Sequence, residues 1–391
     1  MNDLFDDHIP LLRPWMGEEE VRAAADVIRS GWITLGPRVA EFEKAVAGYV
    51  AVDFGVATNA CTSALHLCLT LSGIGAGDEV IVPSFTCMAT ANAIHHAGGQ
   101  PVFADIDPRT FNLDPAAVEE AITPRTRGIL LVHQIGLAGD VDAFQRIARK
   151  HELVLIEDGA CSLGATYKGR RVGALGSPTA FSFHPRKMIT TGEGGMITTS
   201  DGALAGKARV LRSTGASISD LERHKAKGLL VQRYEDVGYN YRMTDIQAAI
   251  GLVQLKKIEA MIEQRTAQAR RYDEALSELQ EIEPPFVPAY ATHAYTSYLV
   301  RIRPGARVTR DHVLLSMAEK GVSCRTGIQS LHHEPFYAGS SRGLCLPVTE
   351  EAAATTLFLP VFPGLTERQQ ERIIKALQES LLSSRSREVP A

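Results

Sequence analysis

The sequence predicts an α/β chain: a mostly parallel central sheet covered by helices, followed by a smaller α+β domain. Three observations predict it. The 391 residues are enough for one large domain and a smaller one. Between residues 52 and 200, short apolar runs alternate with stretches of helical period. Prolines then cluster from Pro284 to Pro288, ahead of a second and shorter set of elements. Strands alternating with helices build a parallel sheet covered on both faces. Binding groups of such a sheet lie at the carboxyl ends of its strands.

The elements follow in order. After a short polar arm, residues 17–31 (GEEEVRAAADVIRSG) carry acids in the first turn, an arginine in the last and a closing glycine. Each end of this helix suits the helix dipole, and Val21, Ala24, Ala25 and Ile28 give it one apolar face. GWITLGP (31–37) reads as a loop and VAEFEKAVAGYV as a second amphipathic helix. The apolar runs that predict strands are 54–57, 79–82, 101–104, 128–132, 153–156, 179–183 and 196–199. Helical period fills 62–71, 87–96, 115–121 and 141–150 between the first five.

Beyond Asp201 come a helical stretch, a charged loop (220–235), the turn VGYNYRM and one long helix. The second domain has a strand near 295–302 and helices at 309–320 and 366–382. The expected division is 1–283, 284–382 and a polar, disordered tail 383–391.

Composition narrows the function classes. Apolar content of 45% and charged content of 22% are those of a globular protein. A net charge of -4 argues against nucleic acid or an anionic membrane as partner. The six cysteines form no C-x-x-C pair, which predicts reduced thiols in a cytoplasmic protein with neither a disulfide framework nor a metal site. The acidic N-terminus MNDLFDDHIP has no signal-peptide core, and no run reaches membrane-spanning length.

Two stretches carry the chemistry. FSFHPRKMITTGEGGMITT (181–199) holds one lysine, Lys187, in an apolar and hydroxyl-rich run. Desolvation there is expected to lower the amine pKa and supply the neutral form that imine chemistry needs. LVLIEDGACSLGA (153–165) reads as a strand ending in acid and glycine, whose alternation sends Glu157 and Asp158 to opposite sides. An aspartate for a pyridinium nitrogen and a lysine for an imine are the two protein groups that pyridoxal phosphate requires. A salt-bridged aspartate beside an unrelated lysine has the same spacing, so spacing alone does not separate the two readings.

A phosphate needs a cradle of its own. ATNACTSALHLCLTL (57–71) offers a strand end, a turn and a helix start around Cys61, Thr62 and Ser63. Free backbone amides, the positive helix end and two hydroxyls make an anion site, although taken alone the stretch favours ordinary capping by Asn59 or Thr62. Ser182 adds a further hydroxyl. The glycines of TTGEGG match no nucleotide-binding loop and read as a hairpin that lets the backbone pass close to the cofactor.

Taken together, IEDGACSLGA, FSFHPRKMITTGEGGMITT, GWITLGPRVAEFE, NACTSALHLCL and VGYNYRMTDIQAAIG resemble the DegT/StrS family of sugar aminotransferases, over about residues 9–382. The resemblance implies the aspartate-aminotransferase-like fold (type I of the pyridoxal-phosphate enzymes). It implies Lys187 as the lysine in imine linkage to the cofactor, Asp158 as the pyridinium partner, and Thr62, Ser63 and Ser182 around the phosphate. It also implies a homodimer with shared active sites, in which Asn240 and Arg242 of the GYNYRM segment approach the partner's phosphate. Two positions depart from the family pattern: Cys87 stands where many members have an aromatic residue over the ring, and Ser162 where many have Gln, His or Glu.

The expected reaction moves an amino group from L-glutamate to a nucleotide-linked keto-sugar. Arg186, Lys225, Lys227 and Arg325 are candidates for the acceptor's phosphates, and Trp32, His332 and His333 for the sugar. Rival readings are a dehydratase on the same cofactor, which Lys187 argues against because that branch has histidine there, an aminotransferase for a keto-cyclitol, and a non-catalytic cofactor-binding or sugar-binding regulator.

Overall fold

The computed structural model describes residues 8–218, 231–234 and 236–382. Lys225, Lys227 and the tail 383–391 lie outside them. The first part of the chain runs α1 (Glu18–Ser30), α2 (Pro37–Val50), β1 (Phe54–Thr58), α3 (Cys61–Leu71), β2 (Glu79–Pro83), α4 (Met88–His96), β3 (Gln100–Ala104), α5 (Pro115–Ala121), β4 (Thr126–Val132), α6 (Val141–Lys150), β5 (Val154–Asp158), β6 (Thr166–Tyr167), β7 (Arg170–Arg171), β8 (Thr179–Ser182), β9 (Gly195–Thr199) and α7 (Gly202–Leu211). Seven of these strands form one sheet in the order β1-β9-β8-β5-β4-β2-β3. Only β9 runs against the rest, pairing antiparallel with both β1 and β8.

Side-chain alternation along the strands feeds two cores. Ala57, Ile81, Ile129 and Leu131 face one layer with Val39 and Phe42 of α2, Phe144 of α6 and Ala248. Val56, Val80, Val82 and Leu130 face the other, with Leu65 of α3, Ile94 of α4 and Ala205 of α7. The predicted α/β class and its two-sided cover are what the chain adopts.

The second part runs α8 (Asp245–Lys256), α9 (Ile258–Leu276), β10 (Ile282–Glu283), β11 (Ala291–Thr292), β12 (Tyr298–Ile302), α10 (Arg310–Glu319), β13 (Arg325–Thr326), α11 (Pro347–Thr355), β14 (Thr356–Leu359) and α12 (Glu367–Leu382). The single long helix of the sequence reading is two helices, parted at Lys257. Strands β10, β12, β14 and β13 make an antiparallel sheet. Its core takes in Tyr272 and Leu276 of α9 and, from the N-terminal arm, Ile9. Ile9 N–H donates to Gly321 O at 2.8 Å, and Ser323 N–H donates to Ile9 O at 2.9 Å. The second packing unit therefore begins before the proline cluster and borrows the chain's start. Elements α11 and β14 had no counterpart in the sequence reading. No helix among the described residues is long and apolar enough to cross a membrane.

Candidate active site

Asp158 ends β5, and in the parallel pairing of β5 with β8 it stands opposite Ala180. Lys187 follows β8 in a turn closed by Lys187 N–H donating to His184 O at 2.9 Å. Both therefore lie at the carboxyl ends of neighbouring strands. Alternation separates the two acids of β5 as predicted. Glu157 turns into the interior, its Oε2 2.9 Å from His133 Nε2, with both side chains fully buried. Gly139 N–H donates to His133 Nδ1 at 3.1 Å, which leaves the ring proton on Nε2 and aimed at Glu157. Asp158 turns the other way. Its Oδ2 accepts from the Thr90 hydroxyl at 2.8 Å and its Oδ1 from Ala160 N–H at 3.0 Å. Thr90 Oγ1 is in turn 3.2 Å from Thr86 Oγ1. The carboxylate is thus held by one hydroxyl and one amide.

The Lys187 amine donates to Cys161 Sγ at 3.1 Å. Burial pushes its pKa down, but Cys161, by charge and hydrogen bond, and then Asp158 and Cys61 outweigh burial, and the amine sits above its ordinary value. The expected lowering is therefore corrected: an amine facing Asp158 keeps its proton. A cation paired with that carboxylate would weaken its hold on the amine. Cys61, at the first position of α3, is pushed well up by burial and by Asp158, which keeps it a neutral thiol.

The helix start beside them is open. The N-cap of α3 is Ala60, in extended conformation and with no side-chain cap. Neither Asn59 nor Thr62 takes that role: Asn59 Oδ1 instead accepts from the Ser63 hydroxyl at 2.7 Å. The first-turn amides of Cys61, Thr62 and Ser63 are those that no helical carbonyl can reach. Strand β9 seals the back of this turn, with Gly195 in register between Thr58 and Ser182. A Cβ on Gly195 would lie 2.5 Å from the Ala60 carbonyl atoms and 2.7 Å from Cys61 N, so only glycine fits. The close backbone approach foreseen for this glycine run is thus made to the helix start itself. Ser182, nearly buried at the end of β8, accepts weakly from His184 N–H at 3.4 Å, which leaves its own proton to donate.

The donor set fits pyridoxal phosphate: an amine, a fixed carboxylate at a neighbouring strand end, and an uncapped helix N-terminus with hydroxyls. Lys187, Asp158, Cys61, Thr62, Ser63 and Ser182 are brought together at this end of the sheet. Cys87 is the N-cap of α4, with an exposed thiol. Ser162 is turned away: it is buried and its hydroxyl donates to Gly159 O at 3.2 Å. The reason is that strand alternation stops at Asp158 and the chain enters a turn, which presents Cys161 to the amine. Cys161 and Thr90 are the two site residues that sequence reasoning missed, Thr90 because it comes from another strand-to-helix connection.

The remaining candidates scatter. Asn240 is exposed in the single chain, and its carbonyl accepts from Asn59 Nδ2 at 3.4 Å, while Arg242 is half-buried two residues on. Trp32 lies over Gly36, where a Cβ would meet its indole nitrogen at 1.8 Å. That loop is pinned by Asp245, whose carboxylate accepts from the backbone N–H groups of Gly36 (2.9 Å), Arg38 (3.1 Å) and Val39 (3.0 Å) and so caps α2. His332 and His333 sit in a turn against Ser84, at the end of β2. Arg186 and Arg325 are exposed.

Known proteins resemble this chain along nearly its whole length. The sequence pattern of the DegT/DnrJ/EryC1/StrS aminotransferase family matches residues 14–378. GDP-perosamine synthase of Caulobacter vibrioides is 41% identical over 386 residues, covering 98% of this chain and 100% of the relative. The structure of S. venezuelae DesV in complex with a ketimine intermediate superposes with a TM-score of 0.89 at 35% identity, covering 97% of this chain and 100% of that one. The PLP form of Spr1654 from Streptococcus pneumoniae does so with a TM-score of 0.88 at 28% identity, covering 96% and 98%.

Proposed function

Because the chain belongs to the DegT/DnrJ/EryC1/StrS aminotransferase family, we propose that it moves an amino group from L-glutamate to a nucleotide-linked keto-sugar, with Lys187 as the catalytic amine. It is a pyridoxal-phosphate-dependent sugar aminotransferase of aspartate-aminotransferase-like fold. The observation that supports the catalytic assignment is the placement of Asp158 and Lys187 at the carboxyl ends of paired parallel strands. The name of the 41%-identical relative favours a GDP-linked acceptor over a cyclitol.

In this reading Asp158, oriented by Thr90, would keep the ring nitrogen protonated. Lys187 would carry the proton taken from the α carbon of glutamate. The bound cofactor supplies the electron sink and carries the amino group between the two half-reactions. Ser63, Thr62, Ser182 and the amides opening α3 hold the phosphate. Cys87 would pack against the ring, and Cys161 would tune the amine. Trp32 and the His332–His333 turn border the acceptor.

The same reading makes the enzyme a cytoplasmic homodimer in which Asn240 and Arg242 reach the partner's phosphate. Three exposed apolar side chains near that segment, Val231, Tyr234 and Val237, support a covered face there.

The test is the visible spectrum of the purified enzyme with pyridoxal phosphate, before and after L-glutamate. Loss of the yellow band with release of 2-oxoglutarate is expected, followed by recovery of the band on adding a GDP-linked keto-sugar. A band indifferent to glutamate overturns the donor assignment. A glutamate response with no recovery on any nucleotide-linked keto-sugar overturns the acceptor assignment.

A further inference from the structure

Away from the Lys187 amine, one cluster among the described residues brings histidine and carboxylate donor atoms within reach of a single ion. In the turn Leu331–His333 the two imidazole centroids are 4.0 Å apart. Glu350, on α11, places its Oε1 3.2 Å from His332 Nε2 and 3.9 Å from His333 Nε2. One ligand atom from each residue lies within 4.8 Å of the others. Two ligands of one tetrahedral zinc ion, each bonded at about 2.0–2.2 Å, sit roughly 3.3–3.6 Å apart. The two Glu350 spacings differ from these by a few tenths of an ångström, and the imidazole pair closes to them by at most about 1.5 Å.

Two of the donors are already oriented. His332 is buried, its Nδ1 is 2.7 Å from Ser84 Oγ, and its backbone N–H donates to the same oxygen at 3.1 Å. Fixing Nδ1 in this way points Nε2 at Glu350, and histidines that bind metals are commonly anchored through the other nitrogen. Glu350 Oε1 accepts from Leu346 N–H at 3.0 Å, which holds the carboxylate at the start of α11. The third donor, His333, is 59% exposed, which gives an ion a route in and leaves a coordination position to water.

The geometry points to a binding site for a divalent transition-metal ion, zinc first, held by His332 Nε2, His333 Nε2 and Glu350. Two imidazoles and one carboxylate suit zinc and its neighbours, whereas magnesium and calcium call for an all-oxygen set. The sequence reading expected no metal because it searched the cysteines. These three donors assemble only when α11 packs beside the histidine turn. An ion here clamps that turn and α11 to Ser84, the residue that opens the connection leading to Thr86 and Thr90.

The experiment is calorimetric titration of the holoenzyme with zinc chloride. His333→Ala and Glu350→Gln are compared with the wild type; the latter keeps an oxygen for Leu346 N–H. One ion per protomer is expected in the wild type, weakened by more than about tenfold in each variant. A zinc-dependent rise in melting temperature is expected in the wild type and not in Glu350→Gln. No zinc uptake by the wild type overturns the site. Equal affinity in wild type and both variants also overturns it, and assigns the ion to the free thiols. These readouts stand whatever the acceptor sugar is.

Discussion

Lys187 Nζ donates to Cys161 Sγ at 3.1 Å, so the chain's own partner for this amine is a sulfur and not a carboxylate. A thiol is a weak hydrogen-bonding group, so the lysine is held without being locked. Asp158 acts on it through space and is itself tied to Thr90.

On the proposed function, Lys187→Ala should lower glutamate-dependent 2-oxoglutarate release by at least about a thousandfold, since it removes the group proposed to carry the proton. Rapid-quench assay on the purified variant checks this. A variant with wild-type turnover would return the lysine to a structural role.

Cys161→Ala should move the amine in a defined direction. Among the groups that raise the Lys187 pKa, Cys161 is the largest, and burial opposes it. Without the sulfur, burial gains weight and the folded-state pKa falls. In the wild type the raised value keeps the amine protonated at neutral pH. The stabilisation this brings is complete below the unfolded lysine value and is lost as pH rises through the folded one. The pH midpoint for formation of the visible cofactor band on cofactor-stripped protein should therefore shift to lower pH in the variant. An unchanged midpoint would mean that the sulfur contact carries no weight in solution.

Thr90→Val keeps the side chain's shape and removes the hydroxyl that donates to Asp158 Oδ2. Losing one hydrogen bond to a charged group costs about 1.5–3 kcal/mol, which corresponds to roughly 10-fold to 150-fold in rate. The expected loss is in proton exchange at the α carbon of glutamate, read by deuterium incorporation. A loss confined to cofactor affinity would assign Thr90 a purely structural part.

His293 reports on acid stability. Burial lowers its pKa to about 3, and its Nδ1 accepts from Tyr295 N–H at 2.8 Å. The unfolded chain binds a proton near the ordinary histidine value and the native ring does not. Stability is therefore lost as pH falls below about 6.5, continuing toward about 3, and amounts to about 2 kcal/mol by pH 5. His293→Gln should flatten the drop in urea midpoint between pH 7 and pH 5, whatever its stability at pH 7. An identical drop would show that the native ring protonates readily.

Arg212→Met should destabilise the large domain by up to about 3 kcal/mol, because it removes the closer of the two arginines that pair with the buried Glu43 and leaves only Arg209 at 3.6 Å. Arg212 also donates to Ala57 O, while Ala57 N–H donates to Glu43 at 2.9 Å, so the pair clasps β1. Urea unfolding measures the loss.

Much of this was legible in the sequence where short-range rules decide. Strands β1 to β5 and the helices between them follow from period alone. Asp158 was found because a strand end fixes which way a residue points. One residue later the rule stops: in the turn 159–162 nothing in the sequence favours Ser162 over Cys161, and the fold chose Cys161. Contacts between distant positions were invisible for the same reason. Asp245 capping α2 joins residues more than two hundred positions apart. The His332, His333 and Glu350 cluster depends on a helix, α11, that no periodic pattern announced.

The place of β9 also bears on how the enzyme comes into being. It is the last strand of the large sheet to be synthesised, yet it lies between β1, the first, and β8. While the nascent chain emerges, β1 has no sheet partner, and the turn that opens α3 lacks the backing of Gly195. Strand pairing across such a sequence separation is slow, and an unpaired edge left waiting is a template for aggregation. Cofactor capture should therefore be a late event in maturation, and yield during expression should depend on how quickly residues 195–199 find their slot.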